Sequence, residues 1–266
     1  MPTLFKELLG IEKPIIAMCH FPPMPGSPLY DEKGGVEAIK DWVARDVRNL
    51  RDGGVDAIMF CNEGDRPYNL KASPATLATM ASVIGQLKSE VRVPFGCDIL
   101  WDPQAAIALA KATGARFVRE VFTGVYASDM GLWNTECGEH LRFRRNIGAS
   151  EVKLIFNINA EFAGFLDRRP LDLIAKSVVF SSLADIVAVS GTMTGESAQV
   201  SDLELVKKAL PDTPVLANTG VRVENVPEIL QVADGVIVGT ALKHDGNTWN
   251  AVDPERVKRF VEAARG

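Results

Sequence analysis

The chain has 266 residues, 47% hydrophobic and 24% charged, with a formal net charge of −5. That length fits one large core of the size an eight-fold α/β barrel needs, and the mixture excludes disorder, fibrous repeats and a phosphate-backbone grip on nucleic acid. Met1 to Gly10 carries neither a basic n-region before an apolar run nor a small-residue cleavage site, so no export signal and a cytoplasmic location are expected. The most apolar stretch, Leu171 to Gly191, is interrupted by Lys176, serines and Asp185. It falls short of a spanning helix and leaves only peripheral membrane contact open.

Taken in chain order, short β-branched, apolar runs alternate with longer helical patterns. The strand candidates are Pro14 to His20, Val55 to Cys61, Pro94 to Leu100, Phe117 to Phe122, Val152 to Ile158, Asp185 to Val189, Pro214 to Ala217 and Gly235 to Gly239. Each is apolar on both faces, as a strand between a filled barrel and a helical shell must be. Between them, Val36, Ile39, Val43, Val47 and Leu50 line one helical face over Val36 to Leu50, which Gly53-Gly54 ends. Further helices are predicted over Pro74 to Leu87, Gln104 to Thr113, Glu139 to Ile147, Leu171 to Leu183, Leu203 to Leu210, Val226 to Val232 and Pro254 to Ala264, with Ser201-Asp202 and Asp253-Pro254 as N-terminal signals. Arg142, Arg144 and Arg145 read as a solvated helical face. Eight βα units predict a single (β/α)8 TIM barrel over residues 1–266, of the phosphate-binding type, with an open doubly wound sheet as the structural alternative.

In such barrels the site is assembled from the loops that follow the strands. The last three units end in Ser190-Gly191-Thr192-Met193-Thr194-Gly195, Asn218-Thr219-Gly220 and Gly239-Thr240-Ala241. Glycine admits close backbone approach and threonine adds a hydroxyl, so Gly191, Thr192, Gly195, Asn218, Thr219, Gly220, Gly239 and Thr240 are expected to cup a phosphate. Asp98, Glu120 and Glu63 are candidate acid–base groups, with Arg119 and His20 as oxyanion stabilisers. Alternation puts Arg119 and Glu120 on opposite faces, so one of them is expected to form an ion pair outside the barrel. Asn157 and Asn159 close the fifth strand. The proline-rich segment His20 to Pro28 is stiff and suits a wall of the mouth, and Thr123 to Gly138 is long enough for a lid or an oligomer contact.

No disulfide is expected among Cys19, Cys61, Cys97 and Cys137. Three of them fall at successive strand ends, where they could meet His20 and hold a soft metal, but reduced core cysteine is the plainer reading and no metal ligands are assigned. The sequence requires no cofactor, leaves a divalent metal open, and gives no symmetry beyond the general tendency of such barrels to self-associate.

The chain resembles the BtpA family, which includes SgcQ-like proteins, over nearly its whole length. The resemblance rests on Met18-Cys19-His20-Phe21-Pro22-Pro23-Met24-Pro25-Gly26-Ser27-Pro28, on Gly53-Gly54-Val55-Asp56 followed by Asn62-Glu63-Gly64-Asp65-Arg66-Pro67-Tyr68, on Ser190 to Gly195, and on Val238-Gly239-Thr240-Ala241-Leu242-Lys243 with Asp253-Pro254-Glu255-Arg256-Val257. It implies a barrel related to phosphate-binding barrels such as the tryptophan synthase α subunit. The family name points to photosystem I biogenesis, and its SgcQ-like members to carbohydrate genes. Two functions follow as expectations: an enzyme acting on a small phosphorylated sugar or related metabolite by an aldol-type, isomerising or hydrolytic step, or a non-catalytic assembly or regulatory protein. The chain departs from the family pattern where Asn157-Ile158-Asn159-Ala160-Glu161-Phe162 replaces an Asp-x-His-x-Lys-His type of run, where Asp98 stands for asparagine, and where Glu63 replaces an aromatic residue. Those departures imply a different substrate or a lost ancestral activity.

Overall fold

A computed structural model describes residues 4–266. The elements begin with α1 (Leu4–Leu9), β1 (Ile15–His20), α2 (Gly35–Asp52), β2 (Ala57–Cys61), α3 (Pro74–Val91), β3 (Phe95–Asp98), α4 (Pro103–Thr113) and β4 (Phe117–Glu120). They continue with β5 (Val125–Ser128), β6 (Gly131–Asn134), α5 (Cys137–Asn146), β7 (Lys153–Asn157), β8 (Ala163–Phe165), α6 (Leu171–Ser182), β9 (Ile186–Val189) and α7 (Val200–Ala209). The last are β10 (Val215–Ala217), α8 (Val226–Val232), β11 (Gly235–Val238), 3-10 turns at Thr240–Leu242 and His244–Gly246, and α9 (Pro254–Arg265).

Eight strands close into a parallel barrel in the order β1-β11-β10-β9-β7-β4-β3-β2. Closure is made by the pairing of Ile15 with Val236 on one side of β1 and of Ile16 with Ala57 on the other. The fold is therefore a (β/α)8 TIM barrel, and all eight predicted strands are present. Alternation sorts the core into two layers. Ile16, Met18, Met59, Phe117, Ile155, Ala188, Leu216 and Ile237 fill the barrel. Ile15, Ala17, Phe60, Val118, Phe156, Val187 and Val236 turn outward onto the helices.

The same alternation corrects the soft-metal grouping: Cys61 lies in the inner layer with His20's side of β1, whereas Cys19 and Cys97 belong to the outer layer. Among the described residues no set of three or more His, Cys, Asp or Glu side chains is arranged to hold an ion. All four cysteines are free.

The barrel interior is tight where β3 meets β4. A Cβ on Gly96 would lie 2.2 Å from a ring carbon of Phe117, which itself is fully buried. Gly96→Ala is expected to destabilise the fold by about 1–3 kcal/mol, because the ring has no free volume to move into. Adding Phe117→Leu to that variant should recover part of the loss in a denaturation titration, a coupling that two independent sites would not show.

Three features were not legible in the sequence. Helix α1 seats Phe5, fully buried, on the inner layer at the amino-terminal end of the strands, where the Arg116 guanidinium donates to the Leu8 carbonyl (2.7 Å). Thr123 to Gly138 is not an irregular loop but carries the β5–β6 hairpin, which joins β8 in a three-stranded antiparallel sheet. This sheet rests on the mouth through Tyr126, Trp133 and Trp101: Trp101 meets Trp133 edge to face, and Tyr126 lies tilted against Trp133. Finally, α7 starts at Val200, with Gln199 as its N-cap, so Ser201 and Asp202 fall inside its first turn instead of capping it. Asp253 caps α9 as predicted, accepting from the Glu255 and Arg256 amides.

Candidate functional site

The carboxyl ends of the strands carry two adjoining hollows. The inner one is a small polar pocket of about 40 Å3 bounded by His20, Glu63, Arg119, Glu161, Thr194 and Asn218. Arg119 is its fixed point. Its Nε donates to Asp98 Oδ2 (3.1 Å), Nη2 closes a second bond to the same oxygen, and Nη1 lies 3.6 Å from Glu161 Oε1. Burial opposes the guanidinium's charge, but the charges of Asp98 and Glu161 outweigh it and hold Arg119 protonated.

The expected ion pair outside the barrel is not formed. Arg119 pairs inward, and Glu120, with no ion pair among the described residues, accepts from the Val121 amide (3.2 Å). Burial first, then the charge of Asp98 and a hydrogen bond with it, push the Glu120 carboxyl well above its ordinary range. Asp98 Oδ1 and Glu120 Oε1 are buried without another partner. Asp98 and Glu120 thus stand behind Arg119 and do not line the pocket.

Glu63 faces the pocket directly. Its Oε1 accepts from the hydroxyls of Thr194 (3.2 Å) and Tyr68 (3.4 Å). Burial, then the neighbouring charge of Glu161, raise its pKa to about 7. Glu161 is raised too, by burial, although Arg119 opposes the shift. Thr194 bridges the two carboxylates, since its hydroxyl also lies 3.2 Å from Glu161 Oε2. His20 moves the other way: burial, then Lys243 and Arg119, keep its pKa well below the ordinary value, so the ring is neutral. A neutral imidazole offers a hydrogen bond but no charge.

The outer hollow is a cavity of about 290 Å3 whose floor is Gly195, Gly220, Gly239 and Thr240. Gly220, at φ +57°, lies so close to the next loop that a Cβ would sit 2.1 Å from the Ser197 amide nitrogen. Its wall carries Arg222, Arg256 and Arg259 together with Glu224. Arg256 Nε donates to the Ala241 carbonyl (2.9 Å), and no carboxylate among the described residues pairs with any of the three guanidinium groups.

The sequence-predicted cup is thus divided by the fold. Gly195, Gly220, Gly239 and Thr240 line both hollows, while Asn218 and Thr219 face the inner pocket alone. Asn218 Nδ2 donates to Ser190 Oγ (2.7 Å) and Glu161 Oε1 (3.3 Å), continuing a chain from Asn157 through the Ser190 hydroxyl. Gly191 and Thr192 line neither: the Gly191 amide donates to Thr219 Oγ1 (2.7 Å) and the Thr192 hydroxyl bonds Glu196. They shape the loop that delivers Thr194 and Gly195. Sequence reading missed Glu161, Thr194 and the three arginines. Arg256 and Arg259 stand three apart on α9, a spacing that puts both on one face and was the available signal. Glu161 gave none, because three irregular residues separate it from β7.

Solved structures share the architecture at low identity. Tryptophan synthase from M. tuberculosis aligns over 100% of both chains at TM-score 0.61 and 16% identity, and the native KDPGal structure over 96% of both at TM-score 0.58 and 16% identity. These likenesses show the fold alone. Sequence relatives reach further. The sgc region protein SgcQ of Escherichia coli is 49% identical over 257 residues, covering 97% of this chain and 96% of the relative. The photosystem I biogenesis protein BtpA of Synechocystis sp. is 34% identical over 253 residues, covering 94% of this chain and 87% of the relative. With the BtpA family model matching residues 11–266 and relatives of this similarity along nearly the whole length, the chain belongs to the BtpA family.

Proposed function

We propose that the protein is an enzyme acting on a small phosphorylated sugar or related metabolite, with the phosphate in the outer cavity and proton transfer in the inner pocket. The observation that carries this reading is the outer cavity itself: three arginines without carboxylate partners face a floor of three glycines and a threonine. Guanidinium groups left unpaired on a concave surface are costly to gather unless an anion completes them, and phosphate oxygens match their forked donors. The inner pocket supplies the second half. Glu63, with its pKa near 7, takes and returns a proton at neutral pH, while Arg119 and the neutral His20 are placed to stabilise charge on an oxygen of the same ligand. Gly239 and Thr240 line both hollows, so one small ligand reaches from one to the other.

A second reading is favoured by one relative's name: a photosystem I biogenesis protein would use the same barrel as a ligand-responsive assembly factor, binding without turnover. A thermal-shift screen of phosphosugars and inorganic phosphate, with and without divalent metal, tests the shared binding claim. Stabilisation by a subset of phosphosugars is expected, with Arg222→Ala and Arg259→Ala each weakening binding by about tenfold or more. Turnover of a stabilising ligand then separates enzyme from assembly factor. No stabilisation by any phosphorylated compound would remove the proposal.

A further inference from the structure

His20 and Glu63 are walls of two spaces at once. They line the inner pocket and also a third cavity, of about 250 Å3, whose other walls include Phe21, Pro22, Trp42, Arg66 and Trp249. None of the outer cavity's arginines or glycines borders it. The two ends are tied together by the hydroxyls of Thr240, on the outer cavity, and Thr248, on the third, which lie 2.6 Å apart. The three spaces therefore run in series, outer cavity, inner pocket, third cavity, with the proton-transfer groups in the middle.

The third cavity is walled mainly by carbon, and its two cations are in opposite states. Lys243 is already satisfied, with Nζ 3.2 Å from Asp46 Oδ2. Arg66 is not. Its guanidinium carbon lies 3.4 Å from the ring centroid of Trp249, which fixes the plane of the group. Its backbone is equally fixed: the carbonyl accepts from Ser27 Oγ (3.1 Å) and the amide donates to the Gly64 carbonyl (2.9 Å). Gly64 itself is clamped, since a Cβ there would meet the Phe21 carbonyl at 2.6 Å. Yet no carboxylate among the described residues pairs with Arg66, and its Nε is buried without a hydrogen-bond partner. At the same cavity His20, 7% exposed, is buried beside the Thr248 backbone. An orphaned donor on a preorganised guanidinium at the wall of a cavity calls for an acceptor from outside.

We propose that this cavity is a carboxylate subsite, so that the ligand is two-headed: a phosphorylated sugar acid with its phosphate at Arg222, Arg256 and Arg259 and its carboxylate at Arg66. A planar carboxylate suits one planar guanidinium between apolar walls, whereas a dianionic phosphate suits the three arginines of the outer cavity. His20, held neutral, borders the carboxylate end without adding a second charge. The phosphate half rests on the proposed function above; the carboxylate half rests on Arg66 alone.

Calorimetric titration of the whole protein tests it with matched pairs: 4-phosphoerythronate and 6-phosphogluconate against their neutral-ended counterparts erythritol 4-phosphate and sorbitol 6-phosphate, with inorganic phosphate and gluconate as single-headed probes. At least one phosphorylated acid is expected to bind about tenfold or more tightly than its alditol phosphate. Arg66→Gln should abolish that preference while leaving inorganic phosphate binding unchanged, which also establishes that the variant is folded; Arg66→Lys should restore part of it. Equal affinity for acid and alditol in the wild type overturns the proposal, as does a preference that survives Arg66→Gln. Failure of inorganic phosphate to bind, with gluconate still bound through Arg66, would instead sink the phosphate reading and leave the carboxylate subsite standing.

Discussion

Replacing Lys243 with methionine is expected to lower the stability of the fold by about 3–5 kcal/mol. Lys243 and Asp46 are both completely buried, 3.2 Å apart, and Asp46 Oδ1 also accepts from the Val252 amide (3.1 Å). Removing the ammonium leaves a carboxylate in the core with one backbone donor and, as its remaining counter-charge, the half-exposed Arg45 guanidinium at 3.5 Å. The pair joins α2 to the turn that follows Thr240, so it holds the last strand loop, and with it one side of the outer cavity, against the helical shell. Exchanging both partners, as Lys243→Met with Asp46→Leu, should cost far less than the single change, because no charge is then left stranded. A guanidinium chloride titration of the three variants decides the matter: a single-variant loss below about 1 kcal/mol would mean that the pair is not the anchor described.

The second large effect belongs to Glu63. Burial and the charge of Glu161 lift its pKa from 4.5 to about 7, so its carboxylate form appears only as the pH rises through neutrality. A reaction that uses it as a base gains rate through that window, and Glu63→Gln should abolish the rising limb and lower the rate by about 10²- to 10⁴-fold. Stability carries the opposite sign. The unfolded chain loses this proton near pH 4.5 and the folded one near 7, so between those values the unfolded state binds fewer protons and the fold weakens as pH rises, by about 3 kcal/mol at most. The stability of Glu63→Gln relative to the wild type should therefore improve from pH 5 to pH 8. A constant difference across that range would mean that Glu63 titrates normally, as an exposed carboxylate does.

The barrel was legible in the sequence because its strands are uniformly apolar and its helices keep a three-four spacing, patterns that burial imposes on every βα unit. Val226 to Val232 was read to the residue, and the strand limits moved by two residues or fewer at either end. Helix α1 escaped because six residues are too few for periodicity, and the β5–β6–β8 sheet because its strands, three to four residues long, are partly exposed and lack the apolar continuity of the barrel. The site was legible where function follows position on a strand. Asp98, Arg119 and His20 stand at strand ends and converge, and Glu63 follows two residues behind β2. It was illegible where the chain leaves the strand and returns. Glu161 reaches Arg119 only because Phe162, at φ +55°, turns the loop back toward Thr192. Gly191 and Thr192 looked like phosphate ligands by composition, yet their polar groups are consumed by Thr219 and Glu196. Loop-to-loop hydrogen bonds have no periodic signature, so composition alone could not separate the residues that line a cavity from those that fold its rim.

The most direct test of the phosphate assignment is a crystal structure of the protein grown with a stabilising phosphosugar. A tetrahedral anion is expected in the outer cavity, against the floor of Gly195, Gly220 and Gly239 and within hydrogen-bond reach of at least two of Arg222, Arg256 and Arg259, with the rest of the ligand directed toward Glu63. A bound ligand whose phosphate lies elsewhere, with that cavity empty, would contradict it.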